Sequence, residues 1–264
     1  MRGTPPDGGV PLTVFPGHRL ACVCTVVMDI GADGAARLLA VRDEDPQREW
    51  DRVGAWWPER YPGVLGIRDR RAGGAWMAVN AAERRMAVLL NRADVIALPE
   101  HEVLSRGFLV LDSVTGVAAP EHPRTHGFNL LEIGPSGARV VSWDGAERTE
   151  VAVAPGVHMI AHAGLDDPST PRIAHWLSQF QALPPTPGAA WAADWVRLLG
   201  ESGQMPAEDD RAIIRDNRPH GYPTLSLLYA VAESDADGVR VQDQPLRHPG
   251  QWNAADYSGS GSSR

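Results

Sequence analysis

Lysine is absent from this chain, cysteine occurs only twice, aromatic residues make up 6%, and no apolar run approaches membrane length. All 25 basic residues are arginine, set against 33 acidic ones for a net charge of −8. With no arginine-dense stripe, an acidic chain of this kind lacks the electrostatic footprint of a nucleic-acid partner. Arg68, Arg70 and Arg71, the tightest basic cluster, surround Asp69 and suggest a solvated turn. The N-terminal run without charge or turn residues, Leu20 to Met28, falls short of the roughly 20 apolar residues a spanning helix needs, so no membrane insertion is expected. Pro5, Pro6, Pro11 and Pro16 break any signal-peptide core. Cys22 and Cys24 stand too close together for an ordinary disulfide, which points to a reduced, cytoplasmic protein.

What is present is apolar content of 43% over 264 residues, enough to bury a substantial core. Residues 1–22 are Pro/Gly-rich without periodicity and suggest a disordered or mis-assigned extension; 23–257 suggest one domain; the Ser/Gly-rich 258–264 suggest a flexible tail. The β-branched run from Cys22 to Asp29 predicts a strand, and Arg37 to Val41 a second one. A loop carrying Trp50, Trp56 and Trp57 follows. Hairpins are expected at Ala75–Asn80 with Met86–Leu90, and around Gly134-Pro135-Ser136-Gly137. Glu100 to Leu111 predicts a helix entering buried structure. Val157 to Ala161 predicts a strand, and helical spacing over Pro168–Leu183 and Gly188–Leu199 precedes strands at Leu225–Val231 and Val239–Leu246. Hairpins with a few helices imply an α+β architecture, sheets between helical layers.

Cys24 entering one strand and Arg42-Asp43-Glu44 leaving the next would meet if the two strands pair antiparallel. A guanidinium beside a thiol favours the thiolate, although Cys is also among the most buried residue types. His158, His162 and His175 raise the question of a metal. On a strand, His158 and His162 stand roughly 13 Å apart, too far for one ion, and surface histidines are the ordinary alternative.

Cys24-Thr25-Val26-Val27 followed by Val41-Arg42-Asp43-Glu44, then Gly73-Gly74-Ala75-Trp76, Leu89-Leu90-Asn91-Arg92, Ser105-Arg106-Gly107 and Phe128-Asn129-Leu130-Leu131, resembles the transport and Golgi organisation 2, or NRDE, family. The resemblance implies a four-layer αββα sandwich of the N-terminal nucleophile hydrolase type. It also implies Cys24 as nucleophile, with its own α-amine as base, against a small-molecule C–N bond. Arg42 and Asp43 would tune and orient that pair, and Asn91 would contact the oxyanion, unless it merely caps a strand end. His162 would line the pocket. No cofactor is required. The alternative is a non-catalytic carrier of haem or another small metabolite, with Cys24 or a histidine on iron.

Departures from the family pattern are Val41 for Asn, Ala161-His162 for Ser-Asn, and no Arg in Gly221-Tyr222-Pro223-Thr224-Leu225-Ser226. Cys24 also follows Val23 instead of an initiator Met. A GTG start codon at position 23, or cleavage before Cys24, would expose the amine; otherwise Cys24 stays internal. The sequence does not specify an oligomeric state.

Overall fold

The computed structural model describes residues 24–252 apart from Pro185, Pro187 and Ala189. The expected extension, Cys22 and the C-terminal tail lie outside the described residues.

Two antiparallel sheets organise the fold. The first contains β1 (Thr25–Ile30), β2 (Ala36–Glu44), β10 (Gly156–Ile160), β11 (Leu225–Asp235) and β12 (Gly238–Pro245), in the order β10-β1-β2-β11-β12. The second runs in chain order through β3 (Trp50–Gly54), β4 (Val64–Asp69), β5 (Ala75–Asn80), β6 (Arg85–Asn91), β7 (Phe128–Gly134), β8 (Gly137–Trp143) and β9 (Arg148–Val153). Alternation along the strands sorts side chains into separate apolar layers. Val26, Met28, Leu38 and Ala40 face Met77, Val88 and Leu131 between the sheets. Val27, Leu39 and Val41 point the other way, onto α2 (Pro171–Gln181) and α3 (Ala190–Ser202), where Ile173, Trp176, Phe180 and Trp195 cover them. On the far side, α1 (Gly107–Val114) lays Leu109, Val110 and Val114 on Ala78, Ala87 and Leu130. Helices therefore cover the outer faces of a pair of stacked sheets.

Both expected hairpins form, with four residues between Asn80 and Arg85 and two between Gly134 and Gly137. Pro171 opens α2 at a position where its missing N–H costs nothing. Several segments differ from expectation. The helix foreseen over Glu100–Leu111 is a 3-10 turn at Glu100–Glu102 followed by α1, because Leu104 forms a parallel bridge to Thr125 in between. The Trp50 loop contains β3, and β9 is an additional strand whose polar Arg148-Thr149-Glu150 pairs on one side only. The Arg68–Arg71 cluster does include an exposed turn at Arg70 and Arg71, preceded by the unforeseen strand β4. Arg68 and Arg70 both bind the Asp51 carboxylate across the β3–β4 pair, and Asp69 is buried against Arg48.

One edge of the sandwich is clasped by Asp243 on β12. Its carboxylate accepts from Arg52 Nε at 2.9 Å and from the Val53 N–H at 3.2 Å. Asp243→Ala leaves that backbone donor unpaired and is expected to cost about 1–2 kcal/mol in chemical unfolding. An unchanged midpoint would show that the clasp carries no stability.

Candidate active site

β1 and β2 pair with Thr25 opposite Val41; one further step of this register sets Cys24 opposite Arg42. β10 flanks β1 on its other side with Val26 opposite Ile160, where β10 ends; His162 follows in a bend outside the sheet. A single row across the sheet thus holds Cys24, Arg42 and, through the β2–β11 pairing, Leu228. Cys24 belongs to the inter-sheet core and is 4% exposed, with its thiol 3.7 Å from the Asp43 carbonyl oxygen.

Above this row, at one end of the sandwich, opens a cavity of about 1040 Å3. Cys24, Arg42, Asp43 and Asn91 all line it, as do Trp76 at the start of β5 and Tyr222 and Thr224 ahead of β11. Arg42 is 2% exposed; its Nη2 donates to Glu44 at 3.3 Å. Asn91 closes β6, half-buried, and its side-chain amide makes no hydrogen bond to another described residue. His162 is not among the lining residues. Its Nδ1 is buried without a partner among the described residues, and burial, reinforced by the Arg172 charge, pushes its pKa below the ordinary histidine value.

Asp43 alternates to the opposite face from Arg42, beneath the helices. Ser226 Oγ donates to its Oδ1 at 2.6 Å and Asn217 Nδ2 to its Oδ2 at 3.4 Å. Burial pushes its pKa up to about 6, against the lowering effect of Arg172, these hydrogen bonds and Arg215. Arg172 is buried too, donates to Thr25 Oγ1 at 3.1 Å, and has its pKa brought down to about 10, mainly by burial. Arg215 binds the Asn217 side chain at 2.9 Å and Asp210 at 2.9 Å. A register shift between Ser226 and Leu228 breaks the regular pairing of β11 with β2 where Ser226 meets Asp43.

These supporting residues were not singled out by sequence reasoning. Arg172 carried a signal: it falls four residues before Trp176, on the apolar stripe of α2, where a charged residue needs a buried partner. Asn129 lay inside a quoted motif with no role attached. It is fully buried on β7 and bridges the sheets, donating to the Ala161 carbonyl at 2.9 Å and accepting from Ser142 at 2.7 Å.

His126 lines the cavity, held by Asp94, whereas His158 and His175 lie elsewhere. His158 faces the Asp166 carboxylate at 2.6 Å and the Ala154 carbonyl, and His175 packs edge-on against Trp176. Among the described residues no group of three or more His, Cys, Asp or Glu is arranged to hold a metal ion, and no helix is long and apolar enough to cross a membrane.

A search of curated proteins finds no match. The family model for transport and Golgi organisation 2 matches residues 24–187, beginning at Cys24 and taking in both sheets up to β10 together with α1 and α2. Covering more than half of the sequence, that match shows that the chain belongs to the transport and Golgi organisation 2 family.

Proposed function

We propose that this protein is a cysteine-dependent amidohydrolase of the N-terminal nucleophile type, acting on a small-molecule C–N bond in the cavity above Cys24. The observation that carries this reading is the convergence of Cys24, Arg42 and Asn91 on one polar cavity at the end of two helix-covered sheets. In the mature protein Cys24 is N-terminal, and its α-amine, with an ordinary pKa near 8, takes the thiol proton. Sγ attacks the amide carbon. The oxyanion accepts a hydrogen bond from the Asn91 amide, a group without a competing partner among the described residues. Collapse breaks the C–N bond, the ammonium returns its proton to the leaving amine, and water then hydrolyses the thioester. Arg42 stands opposite Cys24, and Asp43 with Ser226 and Asn217 fixes the end of β2 that carries Arg42. A reducing, cytoplasmic setting keeps the thiol free.

Haem finds less to hold it here. Cys24 would be the residue to hold the iron, but arginine and carboxylate side chains dominate the walls where a porphyrin would need apolar surface.

The test exploits the missing lysines: an amine-specific succinimidyl ester can label only the α-amino group. Protein from the native host should carry the label on Cys24 and release amine from a panel of N-acyl amines, and Cys24→Ala should lower release by at least about 10³-fold. A label on an upstream residue, or release unaffected by Cys24→Ala, would refute the mechanism. A haemin Soret band that disappears in Cys24→Ala, without amine release, would favour the carrier.

A further inference from the structure

The hydrogen-bonding capacity of the cavity is unevenly spent. Its inner carboxylates are engaged: Asp43 by Ser226 and Asn217, Glu44 by Arg42 and the Asp45 N–H, Asp69 by Arg48 and the N–H groups of Arg71 and Ala72. The donors are not all engaged. Arg42 Nη1 and Trp76 Nε1 are buried with no acceptor among the described residues, although both side chains lie in the cavity wall and are at least nine-tenths buried. Buried indole and guanidinium N–H groups ordinarily find acceptors, since each unpaired one costs about 1–3 kcal/mol. Cys24 lines the same cavity as both donors. A third contribution comes from α1. Ser105, Arg106 and Gly107 line the same cavity, which places the positive end of the helix on that side, although the Gly107 and Leu109 amides are already engaged by Ser105 Oγ and the Arg106 carbonyl.

We propose that the cavity binds a ligand bearing a carboxylate, with Arg42 and the Trp76 indole N–H as its donors. For the reaction proposed above this names the substrate class, an amide that carries a carboxylate; its bearing on turnover rests on that reading, but the binding does not. The volume accommodates such a molecule, since small-molecule sites commonly span about 300–1,000 Å3. The rim carboxylates Glu49 and Glu100 are exposed, and water screens their repulsion of an incoming anion.

The experiment is calorimetric titration of the full chain carrying Cys24→Ala, which cannot turn over, with hippurate and with its neutral carboxamide, hippuramide. Hippurate should bind about tenfold more tightly, the ratio expected of one charge-assisted hydrogen bond. Adding Arg42→Gln should close the gap, and Trp76→Phe, which keeps the ring and removes the donor, should narrow it severalfold. Should Arg42→Gln fail to fold, Trp76→Phe decides. Equal affinities, absence of hippurate binding at millimolar concentration, or a gap unmoved by Trp76→Phe would overturn the assignment. Failure of wild-type protein to release amine would overturn hydrolysis alone and leave this comparison intact.

Discussion

Asp43→Leu is expected to remove about 3–5 kcal/mol of folding stability at about pH 8, the largest loss at any single position of the site. The carboxylate is 1% exposed and is the acceptor for Ser226 and Asn217. Without it two hydrogen-bond donors lose their acceptor, and the Arg172 guanidinium, itself buried, loses its nearest counter-charge. Asp43→Asn keeps polar contacts and should cost less. Combining Asp43→Leu with Arg172→Met should recover part of the loss, since the uncompensated charge goes with its partner. The same residue imposes a pH signature. Burial lifts its pKa from 3.8 to about 6, so in that interval the folded protein retains a proton that the unfolded chain has released. The contribution of Asp43 is therefore fully present below about pH 4 and declines as pH rises through about 6, a change of about 3 kcal/mol. Chemical unfolding of wild type and Asp43→Asn at about pH 4 and about pH 8 isolates it: the difference between the two proteins should shift by that amount in favour of the variant at the higher pH. A pH-independent difference would mean that Asp43 titrates normally.

Gly74→Val should be nearly as damaging. A Cβ built on Gly74 would lie 2.5 Å from the carbonyl carbon of Gly107 and 2.6 Å from its Cα. Both are backbone atoms, so no side chain can swing aside, and either β5 or the start of α1 must move. Overpacking of this kind costs about 1–3 kcal/mol, and the branched side chain of Val lies at the upper end. Displacement of α1 would also shift Ser105 and Arg106 in the cavity wall, so the alkylation rate of Cys24 should change together with stability. Gly73→Ala is the control. It meets no atom within 4 Å and carries only the strain of its positive φ, 74°, about 1 kcal/mol. A Gly74→Val protein that melts with wild type would show that the backbones can separate freely.

The Gly74–Gly107 contact also accounts for two motifs visible in the sequence, Gly73-Gly74-Ala75-Trp76 and Ser105-Arg106-Gly107, whose spacing alone could not reveal that they touch. Local signals were legible: the alternation of β1 and β2, the turn residues of the β7–β8 and β11–β12 hairpins, and the apolar stripes of α2 and α3. The adjacency of Cys24 and Arg42 followed from two neighbouring strands and a short turn. What escaped were the polar-looking β3 and edge strand β9, and β4, whose short apolar start Val64-Leu65-Gly66-Ile67 runs into Arg68-Asp69. The partners of Asp43 escaped for another reason. Arg172, Asn217 and Ser226 arrive from more than a hundred residues downstream, and the pairing of β2 with β11 cannot be deduced from one sequence.

The sandwich is tied along one edge by Arg52 and Asp243 and bridged between its layers by Asn129, and below Cys24 its interior is packed with apolar side chains. The cavity lies at the end of the sandwich, against that packed interior. If an amide is cleaved through Cys24 as proposed, the acyl fragment stays bonded beside the packed core while the freed amine lies farther out. Departure would then be sequential: the amine leaves before water reaches the thioester, and a bulky amine that lingers would slow every later turnover.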